Sequence, residues 1–126
     1  MSQMNFTLHF AGPGRQNYPP NPMQSCRKND TGIILNAILV DANNNPINIR
    51  AATKMLMKIV YPDGASKDVK GSWLTNGLDG QVAYVTTAAD LPQEGLHKLQ
   101  VELTMFGSTQ STEMGKFWVG ELADLN

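Results

Sequence analysis

The sequence predicts an all-β fold, an immunoglobulin-like β-sandwich of about seven strands with an extended N-terminal arm. Three observations carry that expectation. Between residues 31 and 120, short apolar runs alternate with turn signals at intervals of about eight to twelve residues, the spacing of sandwich strands. No stretch of the chain has a convincing helical period. Ahead of the body, Ala11 to Asp30 is irregular and rich in Pro and Gly. A compact domain has little use for roughly twenty structureless residues unless they are functional or disordered. The expected organisation is a strand and arm over 1–30, a sandwich over 31–120 and a short acidic tail over 121–126, with a small barrel as the runner-up.

In chain order, Phe6, Leu8 and Phe10 alternate with Asn5, Thr7 and His9, the period of a half-buried strand. Gly12-Pro13-Gly14 and Tyr18-Pro19-Pro20-Asn21-Pro22 follow; they favour extended, semi-rigid chain that gives up ladder donors. The first strand is thereby set apart, free to pair at home or with another chain. Ile33 to Val40 is almost continuously apolar, as in a strand buried on both faces. Asp41 to Pro46 reads as a turn, because Asn and Asp bond their own backbone and tolerate left-handed conformations. Ile49 to Leu56 places Ile49, Ala52 and Leu56 on one helical face; a bend at Ala51-Ala52 followed by a strand Lys54–Tyr61 fits its surroundings better. Pro62-Asp63-Gly64 then turns the chain, and Ser66–Lys70 returns as a polar edge strand whose lysines blunt edge-to-edge pairing.

Asp79-Gly80 opens the strand Gln81–Thr87, with Val82, Tyr84 and Thr86 on one face. After the Asp90 to Gly95 corner comes the clearest alternation: Leu99, Val101, Leu103 and Met105 point one way, Lys98, Gln100, Glu102 and Thr104 the other. Phe106-Gly107-Ser108 turns the chain, and Gln110–Gly120 closes the sheet with Phe117 and Val119 inward and Trp118 outward.

The 126 residues suffice for one domain and no second core. Hydrophobic residues make up 41% and charged residues 17%, so much of the surface is neutral and suited to packing against neighbours. The net charge of -1 provides no global field for nucleic acid or membrane, and neither is expected as a partner. Residues 1–30 nevertheless carry Arg15, Arg27 and Lys28 against Asp30, while the remainder is net acidic, so a basic arm could dock on the next acidic body. One cysteine, Cys26, permits no internal disulfide and fits a reducing compartment. The N-terminus lacks the pattern of a signal peptide, and no run reaches the length of a membrane helix.

Few residues suggest chemistry. Asp41, Asn43 and Asn45 match the start of a calcium loop, but Pro46 and Ala52 stand where that loop needs Gly and Glu. Two histidines and one cysteine at unrelated spacings make no zinc site. Cys26 with His9 or His97 is a nucleophile pair only on paper; His9 falls on the polar side of its strand and His97 ahead of one. Asp63 and Asp79 are turn formers, Glu102 and Glu113 solvated strand positions. No metal, cofactor or catalytic set is expected. Trp118 and Trp73 offer either an interface anchor or a platform for sugar rings.

Taken in order, several segments resemble a known family. Asp30-Thr31-Gly32, Leu39-Val40-Asp41 with Asn45-Pro46-Ile47, and Lys58-Ile59-Val60-Tyr61-Pro62-Asp63-Gly64 resemble the N-terminal Ig-like domain of phage baseplate upper proteins. Leu78-Asp79-Gly80-Gln81-Val82-Ala83-Tyr84, Asp90-Leu91 with Glu94-Gly95, and Leu99-Gln100-Val101-Glu102 are similar to it too. The likeness spans about residues 30–119; each motif is generic alone, and their order and spacing carry the specificity. Ala51-Ala52 departs from the small polar residue and glycine usual after the first turn, and those proteins continue into a receptor-binding region whereas this sequence ends at Asn126.

The resemblance implies a non-enzymatic virion component, assembled in the host cytoplasm, whose partners are other virion proteins of the tail or baseplate, in a symmetric homo-oligomer. A capsid decoration protein contacting the major capsid protein is the alternative address, and a carbohydrate- or receptor-binding sandwich the alternative class. The expected interface is Phe6, Leu8, Phe10, Arg15, Tyr18, Arg27, Lys28 and Trp118. Its expected mechanism is addition of the Phe6–Phe10 strand to a neighbour's sheet edge, with roughly 5–8 kcal/mol from burying its three apolar side chains.

Overall fold

The computed structural model describes residues 3–10, 24–87 and 89–120. Among them are ten strands and no helix: β1 (Gln3–His9), β2 (Gln24–Arg27), β3 (Ile34–Val40), β4 (Ala52–Val60), β5 (Ser66–Lys70), β6 (Ser72–Trp73), β7 (Gln81–Val85), β8 (Gly95–Met105), β9 (Ser108–Ser111) and β10 (Gly115–Gly120). They form two mixed sheets, one in the order β1-β3-β7-β6 and one in the order β2-β10-β8-β4-β5, with β9 pairing β8 beside that path. This is the expected Ig-like sandwich, with more and shorter strands.

The period-two pattern does what it predicted. In β8, Leu99, Val101 and Leu103 are buried, and in β10 Phe117 and Val119 are buried while Trp118 is exposed. Facing them across the core are Met4, Phe6 and Leu8 from β1, Leu35, Ala37 and Leu39 from β3, and Val82 from β7. The Phe6 and Phe117 rings meet at 5.8 Å and tie the sheets together. The chain passes from one sheet to the other at Gly71, where a Cβ would lie 2.5 Å from Val82 Cγ1, so only glycine lets β5 run straight into β6.

The N-terminal arm departs from expectation. β1 pairs in parallel with β3 of its own chain, Phe6 opposite Ala37 and Leu8 opposite Leu39. Phe6 and Leu8 have no exposed surface, and their apolar area is used inside this domain. The outward edge of β1 is also capped. The Asn5 N–H donates to Gln24 Oε1 at 2.9 Å, and the Gln24 amide donates back to the Asn5 carbonyl. The His9 N–H donates to Glu113 Oε2 at 3.0 Å, the Glu113 N–H donates to the His9 carbonyl, and Phe10 bridges Thr112. An edge so covered has few donors left for a neighbour. The expected strand addition is therefore corrected to pairing at home. Gln24–Arg27, expected as part of a strap, is a strand lying parallel to β10.

Two further expectations change. The single closing strand over 110–120 is broken, because Thr112 turns into the core and its Oγ1 accepts the Val101 N–H at 3.0 Å. Lys67, expected as an edge guard, turns inward to Asp90. The predicted turns hold: Asp41 Oδ1 accepts the Asn43 and Asn45 N–H groups, and Asp63 Oδ1 accepts that of Ala65.

Candidate functional site

The expected interface residues scatter when placed on the fold. Phe6 and Leu8 belong to the core and Phe10 is half-buried against it. Arg15 and Tyr18 lie outside the described residues. Lys28 reaches Glu94 at 3.7 Å. Arg27 and Trp118 are brought together: β2 runs beside β10, with Ser25 opposite Trp118 and Arg27 opposite Gly120, so both project from the outer face of the larger sheet.

That face has a distinct composition. Trp118, 49% exposed, stands directly opposite Leu96 of β8, another exposed apolar residue. In the next row Lys116 stands opposite Lys98. Met114, exposed, immediately precedes β10. Leu56, Lys58 and Val60 of β4 continue the surface, with Lys70 opposite Leu56 and Asp68 opposite Lys58. Residues facing outward here include Arg27, Lys54, Lys58, Lys70, Lys98 and Lys116 against Asp68 and Glu102. In a chain of net charge -1, this is a positive face with apolar side chains set into it.

The Lys98–Lys116 row is the unusual element. Like charges directly opposite on neighbouring strands destabilise a sheet, and neither lysine has an ion pair among the described residues. Sequence reading missed the row because pairing register cannot be seen in a single strand's alternation. Leu96 was the available signal, an apolar residue in the outward phase of β8.

A second exposed feature is the β8–β9 hairpin tip. Phe106 and Gly107 both have positive φ, 54° and 77°, the two-residue turn that fits the twist of a hairpin and favours Asn-Gly. A phenylalanine there is strained and also 84% exposed.

The candidate nucleophile and histidines sit in settings of another kind. Burial, assisted by Asp30, pushes the Cys26 thiol up to about 11, the reverse of what a reactive thiolate needs. His97 is not ahead of a strand but within β8, buried between Tyr61 and Phe117 with ring centroids at 5.5 and 5.2 Å; burial lowers its pKa, which keeps the ring neutral. His9, expected on a polar face, is buried, with Nδ1 2.8 Å from Glu113 Oε2 and Nε2 2.5 Å from Asn44 Oδ1. The described residues contain no cluster of His, Cys, Asp or Glu able to hold a metal ion.

Among the described residues Asp90 is the most densely bonded acid, and sequence reading gave it a place in a corner and in one motif of the resemblance but no role. It is fully buried. Its carboxylate accepts from Lys67 Nζ at 2.5 Å, Tyr84 Oη at 2.6 Å, and the Thr87 N–H and Oγ1 at 2.7 and 3.0 Å. Its carbonyl accepts from Tyr61 Oη at 2.8 Å. Burial pushes the carboxyl up, but these donors outweigh it and hold the pKa at about 2. Burial and the Asp90 hydrogen bond drive Tyr84 up to about 12. The cluster pins the β7–β8 corner onto β4 and β5.

Comparison with known proteins finds no matching family model and no matching curated protein. Among solved structures, the N-terminal domain of phage TP901-1 ORF48 superposes with a TM-score of 0.67 at 18% identity, over 95% of this chain and 99% of that one. The two share a fold.

Proposed function

We propose that this chain is a non-enzymatic structural protein of a tailed-phage particle, an Ig-like module that docks subunits at the tail or baseplate. The observation that carries this reading is the end-to-end match to one domain of a phage protein, with almost nothing of either chain left over. It agrees with the ordered motifs that resemble baseplate upper proteins. Support also comes from Trp118 and Leu96, which stand opposite each other in solvent on the outer sheet face, since large apolar side chains grouped at the surface mark interaction sites. The partners on this reading are other virion proteins.

Gold-antibody labelling of phage particles carrying this protein, viewed by electron microscopy, tests the reading. Label at the tail end is the expected result. Label over the heads would make the chain a capsid decoration protein, and particles without label would remove it from the virion.

A further inference from the structure

We propose that the outer face of the β2-β10-β8-β4-β5 sheet receives an acidic segment of a partner protein, with Lys98 and Lys116 as its charged centre and Trp118 and Leu96 as its apolar flank. The inference deepens the docking reading above and rests on it for the existence of a partner.

The argument is one of charge left unmatched. Asp90 shows that this chain can surround a charge with partners drawn from several segments. Lys98 and Lys116 receive the opposite treatment: the register sets them side by side, where they repel, and no described carboxylate reaches them. A carboxylate arriving between them would turn repulsion into two charge-assisted hydrogen bonds. The adjacent row, Trp118 opposite Leu96, would gain contact at the same time. Aromatic anchors beside charged groups are the usual composition of an interface centre. Lys54, Lys58 and Lys70 extend the positive field and would steer an acidic partner to the face.

The same facts argue against other occupants. Two copies meeting face to face about a two-fold axis would set lysines against lysines. Nucleic acid would place phosphates near Asp68 and Glu102, and among the described residues the face offers a single aromatic ring, Trp118, for stacking.

The test uses the full chain and synthetic peptides of alternating Glu and Leu, Gln and Leu, and Lys and Leu, with a single-stranded oligonucleotide as a further probe. Titration calorimetry should find binding of the Glu-Leu peptide alone, weakening as salt rises. Lys98→Glu should weaken it about tenfold or more. That variant places Glu opposite Lys116, so its thermal unfolding should be unchanged or slightly higher, which separates lost binding from lost fold. The Lys98→Glu, Lys116→Glu double variant should bind the Lys-Leu peptide instead. An acidic peptide that fails to bind, or binds Lys98→Glu equally well, overturns the proposal. So does an oligonucleotide that binds as tightly, or self-association that Lys98→Glu abolishes.

Failure here is distinguishable from failure of the virion reading. Particles that carry the double variant as efficiently as the native chain would sink this face and keep the virion role. Unlabelled particles would sink the role, while the peptide titrations still decide what the face binds.

Discussion

Asp90 and Lys98 are both ionised groups set in place by neighbouring strands, and the fold treats them oppositely. Around Asp90, donors from β5, β7 and the following turn converge on one carboxylate until its charge is fully met. At Lys98 the residue directly opposite on β10 is another lysine. The first arrangement makes sense within one chain, because a buried charge without partners costs several kcal/mol. The second is tolerable in isolation only because water screens it, and it becomes favourable when something acidic arrives. The difference separates the charges that hold this molecule together from those it presents.

That contrast can be broken most severely at the N-terminus. Removing residues 1–10 deletes Met4, Phe6 and Leu8 from the core, roughly 5–9 kcal/mol of burial at about 1.5–3 kcal/mol each. This rivals the whole stability of a small domain, about 5–15 kcal/mol. The truncated chain should be unfolded by circular dichroism; a folded product would mean that β1 is dispensable and available to a neighbour after all. Next in size, Asp90→Ala leaves Lys67, Tyr84 and the Thr87 amide without their acceptor and should cost about 3–5 kcal/mol in urea unfolding.

Acid should reach the same corner more gently. The folded pKa of Asp90, about 2, lies below the unfolded value near 3.9. Its contribution is therefore complete above about pH 4 and is lost as pH falls through 2, a loss of roughly 2 kcal/mol. Asp90→Asn should flatten stability against pH over that window, and an unchanged slope would remove Asp90 from the account. At the exposed side of the comparison the signs reverse. Phe106→Asn relieves a left-handed phenylalanine and should stabilise by about 1 kcal/mol. Lys116→Gln should stabilise by a few tenths of a kcal/mol, at the low end of cross-strand pair effects. Destabilisation by either would show that these residues serve the fold and not a partner.

Most strands were legible because burial on one face writes a period of two into the chain, as in Leu99 to Met105, and because Asp41, Asp63 and Asp79 bond their own backbones. What escaped was set by distant segments. His9 lies in a polar phase of its strand yet is buried, because Glu113 and Asn44 close over it from far along the chain. Lys67 reads as an edge lysine until the β7–β8 corner brings Asp90 beneath it. The homeward pairing of β1 was invisible for a related reason: an alternating strand specifies which side is apolar, and any compatible edge could accept it. At the candidate site the sequence showed Trp118 pointing outward, but the Lys98–Lys116 row exists only in the register between β8 and β10.

The parallel strands β1 and β2 also place a clock in the biogenesis of this molecule. β2 lies against β10, and His9 bonds Glu113, 104 residues further along. At a synthesis rate of roughly 5–20 residues per second, the N-terminal segment waits about 5–20 s for those partners to be made. During that interval Phe6 and Leu8 belong to an unfinished sheet, and the chain is most open to capture by a chaperone, a protease or a sister chain on the same message.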